Sequence, residues 1–165
     1  MSARSAPLQI DLEYFHAGLL VADLEAAMQE LTHALGVTWN EPHESRYGSS
    51  RLRATYSREG PPFIELIEGD GPWTPRRASS EIDHLGYWSE DLERDKLHLQ
   101  RAGLPIEIDG SEHGVDFTYH RAAKAGVRIE LIGPVRGALL RHSIGMQAAH
   151  APGSSDTTPP GTEDS

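Results

Sequence analysis

His16-Ala-Gly18-Leu-Leu-Val-Ala-Asp23-Leu24-Glu25 and His84-Leu-Gly86-Tyr-Trp-Ser-Glu-Asp91-Leu92-Glu93 share one pattern, H-x-G-x-x-x-x-D-L-E, 68 positions apart. Ile64-Glu65-Leu66-Ile67 recurs as Ile129-Glu130-Leu131-Ile132, 65 positions apart. Two patterns in the same order at nearly the same offset mark an internal duplication, which governs how every element is read.

Working outward, Tyr14 to Val21 is a short apolar run and predicts a strand. Asp23 reads as an N-cap, and Leu24, Ala27, Met28, Leu31 and Leu35 recur at helical spacing up to Gly36. Strands are expected around Thr38 to Pro42, Arg51 to Ser57 and Phe63 to Glu68. The second copy repeats the order. His84 to Trp88 is a strand, Asp91 a cap and Leu92 to Arg101 a helix closed by Gly103. Strands follow near Pro105 to Ile108, Asp116 to His120 and Val127 to Ile132, then a short helix around Arg136 to His142. The expected fold class is therefore α+β, two tandem βαβββ modules. They span residues 8–68 and 81–146, the second including the short helix, with a linker at 69–80. Residues 1–7 are expected to be flexible. The segment 147–165 is expected to be a disordered acidic tail, since Ala151 to Ser165 offers almost nothing to bury.

Composition narrows the function. There are 25 acidic against 15 basic residues and no basic run, which argues against a nucleic-acid partner. No apolar stretch reaches the length of a membrane span. Met1 to Gln9 lacks the apolar core of a secretory signal, so the expected setting is cytoplasmic. With no cysteine, any metal must be held by nitrogen and oxygen.

Two of the nine histidines, His16 and His84, sit at the same place in the two copies, as do Glu65 and Glu130. A lone strand histidine is more often a hydrogen-bonded core residue than a ligand, and a lone strand glutamate usually faces water. Recurrence of all four changes that weighting, because buried carboxylates need a neutralising partner. Two imidazoles and two carboxylates suit one divalent ion: Zn, Ni, Co, Mn or Fe.

The paired H-x-G-x-x-x-x-D-L-E and I-E-L-I segments resemble the vicinal-oxygen-chelate superfamily, over about Leu8 to Pro134. This is the group of glyoxalases, methylmalonyl-CoA epimerases, extradiol dioxygenases and bleomycin-resistance proteins. The resemblance implies two βαβββ modules whose sheets line a metal cleft, with His16, Glu65, His84 and Glu130 as ligands. The order H, E, H, E with gaps of 49, 19 and 46 is most similar to glyoxalase I. The resemblance also implies a small-molecule substrate and a homodimer. Leu20 and Gly69 stand where glyoxalase I has an arginine and an asparagine, and His120-Arg-Ala-Ala-Lys-Ala-Gly126 replaces its D-P-x-G turn. The expected substrate is therefore not the glutathione hemithioacetal.

The chemistry implied is proton transfer beside a carbonyl through a metal-stabilised enolate or enediolate, in an isomerase, epimerase or lyase. Glu130 is the expected base and Glu65 its mirror candidate. Tyr56, Trp88, Phe117 and Tyr119 are read as cleft lining or core. Arg51 and Arg53 are read as a solvated strand face, and His120 as a neighbour of the site or a turn residue. Trp73, Arg76 and Arg77 in the linker are left open. Two alternatives stand beside this reading. One is an Fe(II) extradiol-type dioxygenase, against which the fourth ligand Glu65 counts, since oxygen activation needs open positions. The other is a small-molecule binding or resistance protein of the same fold.

Overall fold

A computed structural model describes residues 10–70 and 82–145. Its elements run β1 (Glu13–Leu20), α1 (Leu24–Leu35), β2 (His43–Tyr47), β3 (Ser50–Tyr56), β4 (Phe63–Gly69), β5 (Ile82–Trp88), α2 (Leu92–Arg101), β6 (Ile106–Asp109), a 3₁₀ turn, β7 (Phe117–Ala122), β8 (Val127–Ile132) and α3 (Pro134–Ser143). The expected tail, N-terminal residues 1–7 and nearly all of the linker, with Trp73, Arg76 and Arg77, lie outside the described residues.

Local chemistry sets both long helices. Asp23 caps α1 by accepting from Ala26 N at 2.8 Å, and Asp91 caps α2 by accepting from Arg94 N at 3.0 Å. Gly36 ends α1 at φ 74°, a left-handed turn that suits glycine. One expected strand is displaced. Thr38 to Pro42 forms only an isolated bridge, Trp39 with Ser57, and β2 begins after Pro42. Asn40 turns back to Tyr56 instead, its backbone and side chain both donating to the Tyr56 carbonyl. Pro42 has no N–H to give a ladder. The final helix is longer than Arg136 to His142. Asp116 accepts from Val135 N and Arg136 N at 2.8 and 2.7 Å and anchors its first turn.

Among the described residues, eight strands form one sheet in the order β2-β3-β4-β1-β5-β8-β7-β6, curled into a half-barrel. The two copies join inside one chain, through the antiparallel ladder of β1 and β5. That ladder is irregular in two places. Phe15 lies between the pairs Tyr14↔Tyr87 and His16↔Gly86 with no residue opposite it. Asp83 lies likewise between Gly18↔His84 and Leu19↔Ile82. Each bulge thus falls one residue before a recurring histidine, a device that re-aims side chains. An aromatic core of Phe15, Tyr56, Phe63 and Trp88 extends through Ile132 to Leu140 of α3.

Candidate metal centre

The registers arrange the repeated residues in two crossing rows. One row runs Tyr56↔Glu65↔Gly18↔His84 across β3, β4, β1 and β5. The other runs Tyr119↔Glu130↔Gly86↔His16 across β7, β8, β5 and β1. Over each glycine lies the other copy's imidazole. A Cβ on Gly18 would overlap the His84 ring, and one on Gly86 the His16 ring.

The crossing brings His16, Glu65, His84 and Glu130 together, with one donor atom from each inside 4.8 Å of the others. His16 Nε2 and His84 Nε2 face each other at 2.9 Å. Glu65 Oε2 is 3.1 Å from both, and Glu130 Oε2 is 3.2 and 3.5 Å away. Donors about 2.1 Å from a divalent ion sit about 3.0 Å apart at right angles and about 3.4 Å apart at tetrahedral angles. The observed spacings of 2.9–3.5 Å fall in that range, so this donor set fits such an ion. Both imidazoles are fully buried and both carboxylates nearly so.

Electrostatics bind the four groups to one another when no metal is present. Burial opposes charge on His16, but Glu65 and Glu130 outweigh it and raise its pKa. Burial likewise opposes charge on His84. Its hydrogen bond to Asp83, with those two carboxylates, lifts it to about 10. Burial would raise both glutamates. The imidazoles overcome it, holding Glu65 well below and Glu130 below the ordinary value.

The two halves differ behind the four donors. His84 Nδ1 lies 3.1 Å from Asp83 Oδ2, which accepts in turn from the guanidinium of buried Arg128. That chain fixes Nδ1 as a donor and points Nε2 inward, where its lone pair becomes available when the ring is neutral. At the corresponding places the first copy has Phe15 and Phe63, with ring centroids 5.5 Å apart. His16 Nδ1 is buried without a hydrogen-bond partner. Glu130 Oε2, though near both imidazoles, has no aligned hydrogen bond, whereas Glu65 is held by His84.

Tyr56 and Tyr119 are buried edge-on to His16 and His84, at 5.4 and 5.1 Å between centroids. Burial, then the two glutamates, pushes both phenols well above their ordinary value. The dipeptides Thr55-Tyr56 and Thr118-Tyr119, 63 positions apart, are a third repeat that signals this pair. Trp88 and Phe117 are core. His120 is a satisfied core residue, between the Leu104 carbonyl and Thr118. Arg51 pairs with Glu44, and Arg53 with Glu25 and Glu68, on an exposed face. His43 and Arg136 line a cavity of about 490 Å³ that reaches Tyr56. Neither residue belongs to a repeated pattern, so the sequence does not mark them.

The model of the glyoxalase/bleomycin resistance protein/dioxygenase superfamily matches residues 15–119. Methylmalonyl-CoA epimerase from Mycobacterium tuberculosis has a similar structure, with a TM-score of 0.58 at 20% identity over 85% of this chain and 97% of that one. A hypothetical protein from Bacillus halodurans C-125 gives 0.59 at 15% identity, over 76% and 96%. A mutant of 4-hydroxymandelate synthase from Streptomyces coelicolor gives 0.55 at 12% identity, over 74% and 48%. At these identities the likeness is one of fold. No curated protein matches the sequence. Among the described residues, no helix is long and apolar enough to cross a membrane. The matched span covers most of both copies, and the curled sheet agrees with it: the chain belongs to the glyoxalase/bleomycin resistance protein/dioxygenase superfamily.

Proposed function

We propose that this protein is a divalent-metal-dependent enzyme that moves a proton beside a carbonyl of a small molecule, as an isomerase, epimerase or lyase. One observation carries the reading: four buried donors, one from each of the four innermost strands, converge at 2.9–3.5 Å. His16, Glu65, His84 and Glu130 would hold one Zn, Ni, Co, Mn or Fe ion. When bound, the ion supplies Lewis-acid stabilisation of negative charge developing on a substrate oxygen.

Glu130 is the base in this reading. Its Oε2 lacks an aligned hydrogen bond, so it is the carboxylate freer to take a proton. Glu65, held by His84 Nε2 at 3.1 Å, serves better as a fixed ligand. Tyr56 and Tyr119 pack edge-on against the two imidazoles and flank the carboxylates. The fourth ligand counts against an Fe(II) dioxygenase. The reading extends to two units at 8–68 and 81–146, supported by the paired rows of Tyr, Glu, Gly and His. It extends also to a cytoplasmic homodimer whose substrate is not the glutathione hemithioacetal.

Metal analysis of the purified protein tests it. One divalent ion per chain is expected, lost in His16→Ala and Glu65→Ala. A protein that takes up no divalent ion from any of the five refutes the reading.

A further inference from the structure

Two arginines with buried guanidinium groups flank the tetrad, and only one is neutralised. Arg128 is paired with Asp83. Arg136 has no carboxylate partner among the described residues. Its Nη1 donates to the Tyr47 hydroxyl at 3.3 Å, its guanidinium lies 5.1 Å from the Phe117 ring centre, and its Nε is buried without an acceptor. Burial works against its charge, and Glu130 is the largest influence supporting it. Asp116, in the same cavity wall, spends both oxygens on backbone N–H groups of α3.

The rest of the lining mixes Asn40, the exposed Glu41, His43 and Ser143 with apolar and aromatic side chains. Tyr56, edge-on to His16, and the buried Leu140 lie in its wall, and Val135 and Leu139 stand exposed along it at 68% and 69%. Its volume of about 490 Å³ suits a metabolite. A desolvated guanidinium that no described carboxylate pairs with, beside the apolar side chains of α3, is completed by an anion with an apolar body. The guanidinium fork matches a carboxylate, and a single arginine without lysines or a nest of N–H groups does not match a polyphosphate.

We propose that Arg136 binds the carboxylate of a small organic acid whose apolar body lies against Val135, Leu139 and Leu140, with the far end of the acid directed past Tyr56 to the tetrad. Its role as substrate recognition rests on the reading of the tetrad as a reaction centre; the anion site itself does not. The two fit together by charge. An ion bound by Glu65 and Glu130 would take up the negative charge that supports Arg136, leaving the guanidinium to an anionic ligand.

Calorimetric titration with hexanoate and with hexanamide, on chelator-treated and on metal-loaded full-length protein, tests this without any turnover. Hexanoate is expected to bind at least tenfold more tightly than its amide in both states. Arg136→Gln is expected to abolish that preference, and Arg136→Lys to keep part of it, with melting curves reporting the fold of each. Equal binding of acid and amide, no hexanoate binding at millimolar concentration, or a preference that survives in folded Arg136→Gln overturns the proposal. Failure of metal uptake with the acid preference intact refutes the metal reading and leaves the anion site standing.

Discussion

Gly18 stands directly opposite His84 on the antiparallel ladder, and any side chain there would occupy the space of the imidazole. The same holds for Gly86 and His16. The glycine of the repeated H-x-G pattern is thus fixed by the other copy's histidine, not by its own backbone.

Gly18→Ala and Gly86→Ala are therefore expected to displace an imidazole, abolish stoichiometric metal uptake and cost about 1–3 kcal/mol. For a chain of this size that lowers Tm by about 2–4 °C per kcal/mol. Removing the ring relieves the overlap, so Gly18→Ala should cost much less in a His84→Ala background. Thermal melts of the four proteins in that cycle measure the coupling. Additive costs would refute the steric account.

Metal-free protein should have a stability optimum in mildly acidic solution. The raised imidazoles contribute stability that is full below their unfolded value of 6.5 and lost as pH rises, through about 10 for His84. The lowered glutamates contribute stability that is full above 4.5 and lost as pH falls. The expected maximum lies between 4.5 and 6.5. Calorimetry in the presence of a chelator, scanned over pH, checks it. Metal uptake should instead weaken as pH falls, because protons compete for the same lone pairs.

Asp83→Asn should weaken metal binding by about 10–100-fold, as expected for the group that orients a ligand imidazole, and should also lower stability, because buried Arg128 loses its carboxylate partner. Arg128→Met strands the buried Asp83 carboxylate and is expected to cost about 3–5 kcal/mol. Chelator competition reads the first and urea unfolding the second. Equal metal affinity in Asp83→Asn and the parent would show that His84 needs no support behind it.

Glu130→Gln should retain the fold and lose solvent-deuterium exchange at a carbon beside a substrate carbonyl by about 100-fold or more. Glu65→Gln should act mainly by lowering metal content. Undiminished exchange in Glu130→Gln removes that residue from the base role.

Much of this arrangement was written in the sequence by recurrence. α1 and α2 begin and end as their capping aspartates and helical spacing predict, and β8 matches residue for residue. β2 escaped because His43-Glu-Ser-Arg-Tyr47 is a polar edge strand with neither face fully buried, so it carries no apolar alternation. The four tetrad residues were legible because duplication repeats them. What differs between the copies was not. Asp83 and Arg128 become partners only because a bulge turns Asp83 toward both His84 and β8, and periodicity does not report a bulge. Arg136 acquires meaning only when α3 folds back beside Tyr56.

The tetrad also acts as a gauge of strand alignment. Glu65, His16, His84 and Glu130 lie on β4, β1, β5 and β8, which are consecutive across the middle of the sheet. A slip of one residue in any of the three ladders between them would turn a donor to the opposite face. An ion bound here therefore selects one alignment out of the many that apolar strands tolerate, and it fastens the two copies to each other along the seam where they join. Amide exchange on those four strands should slow in concert when metal is added, while β2 and β6 at the outer edges stay as they were.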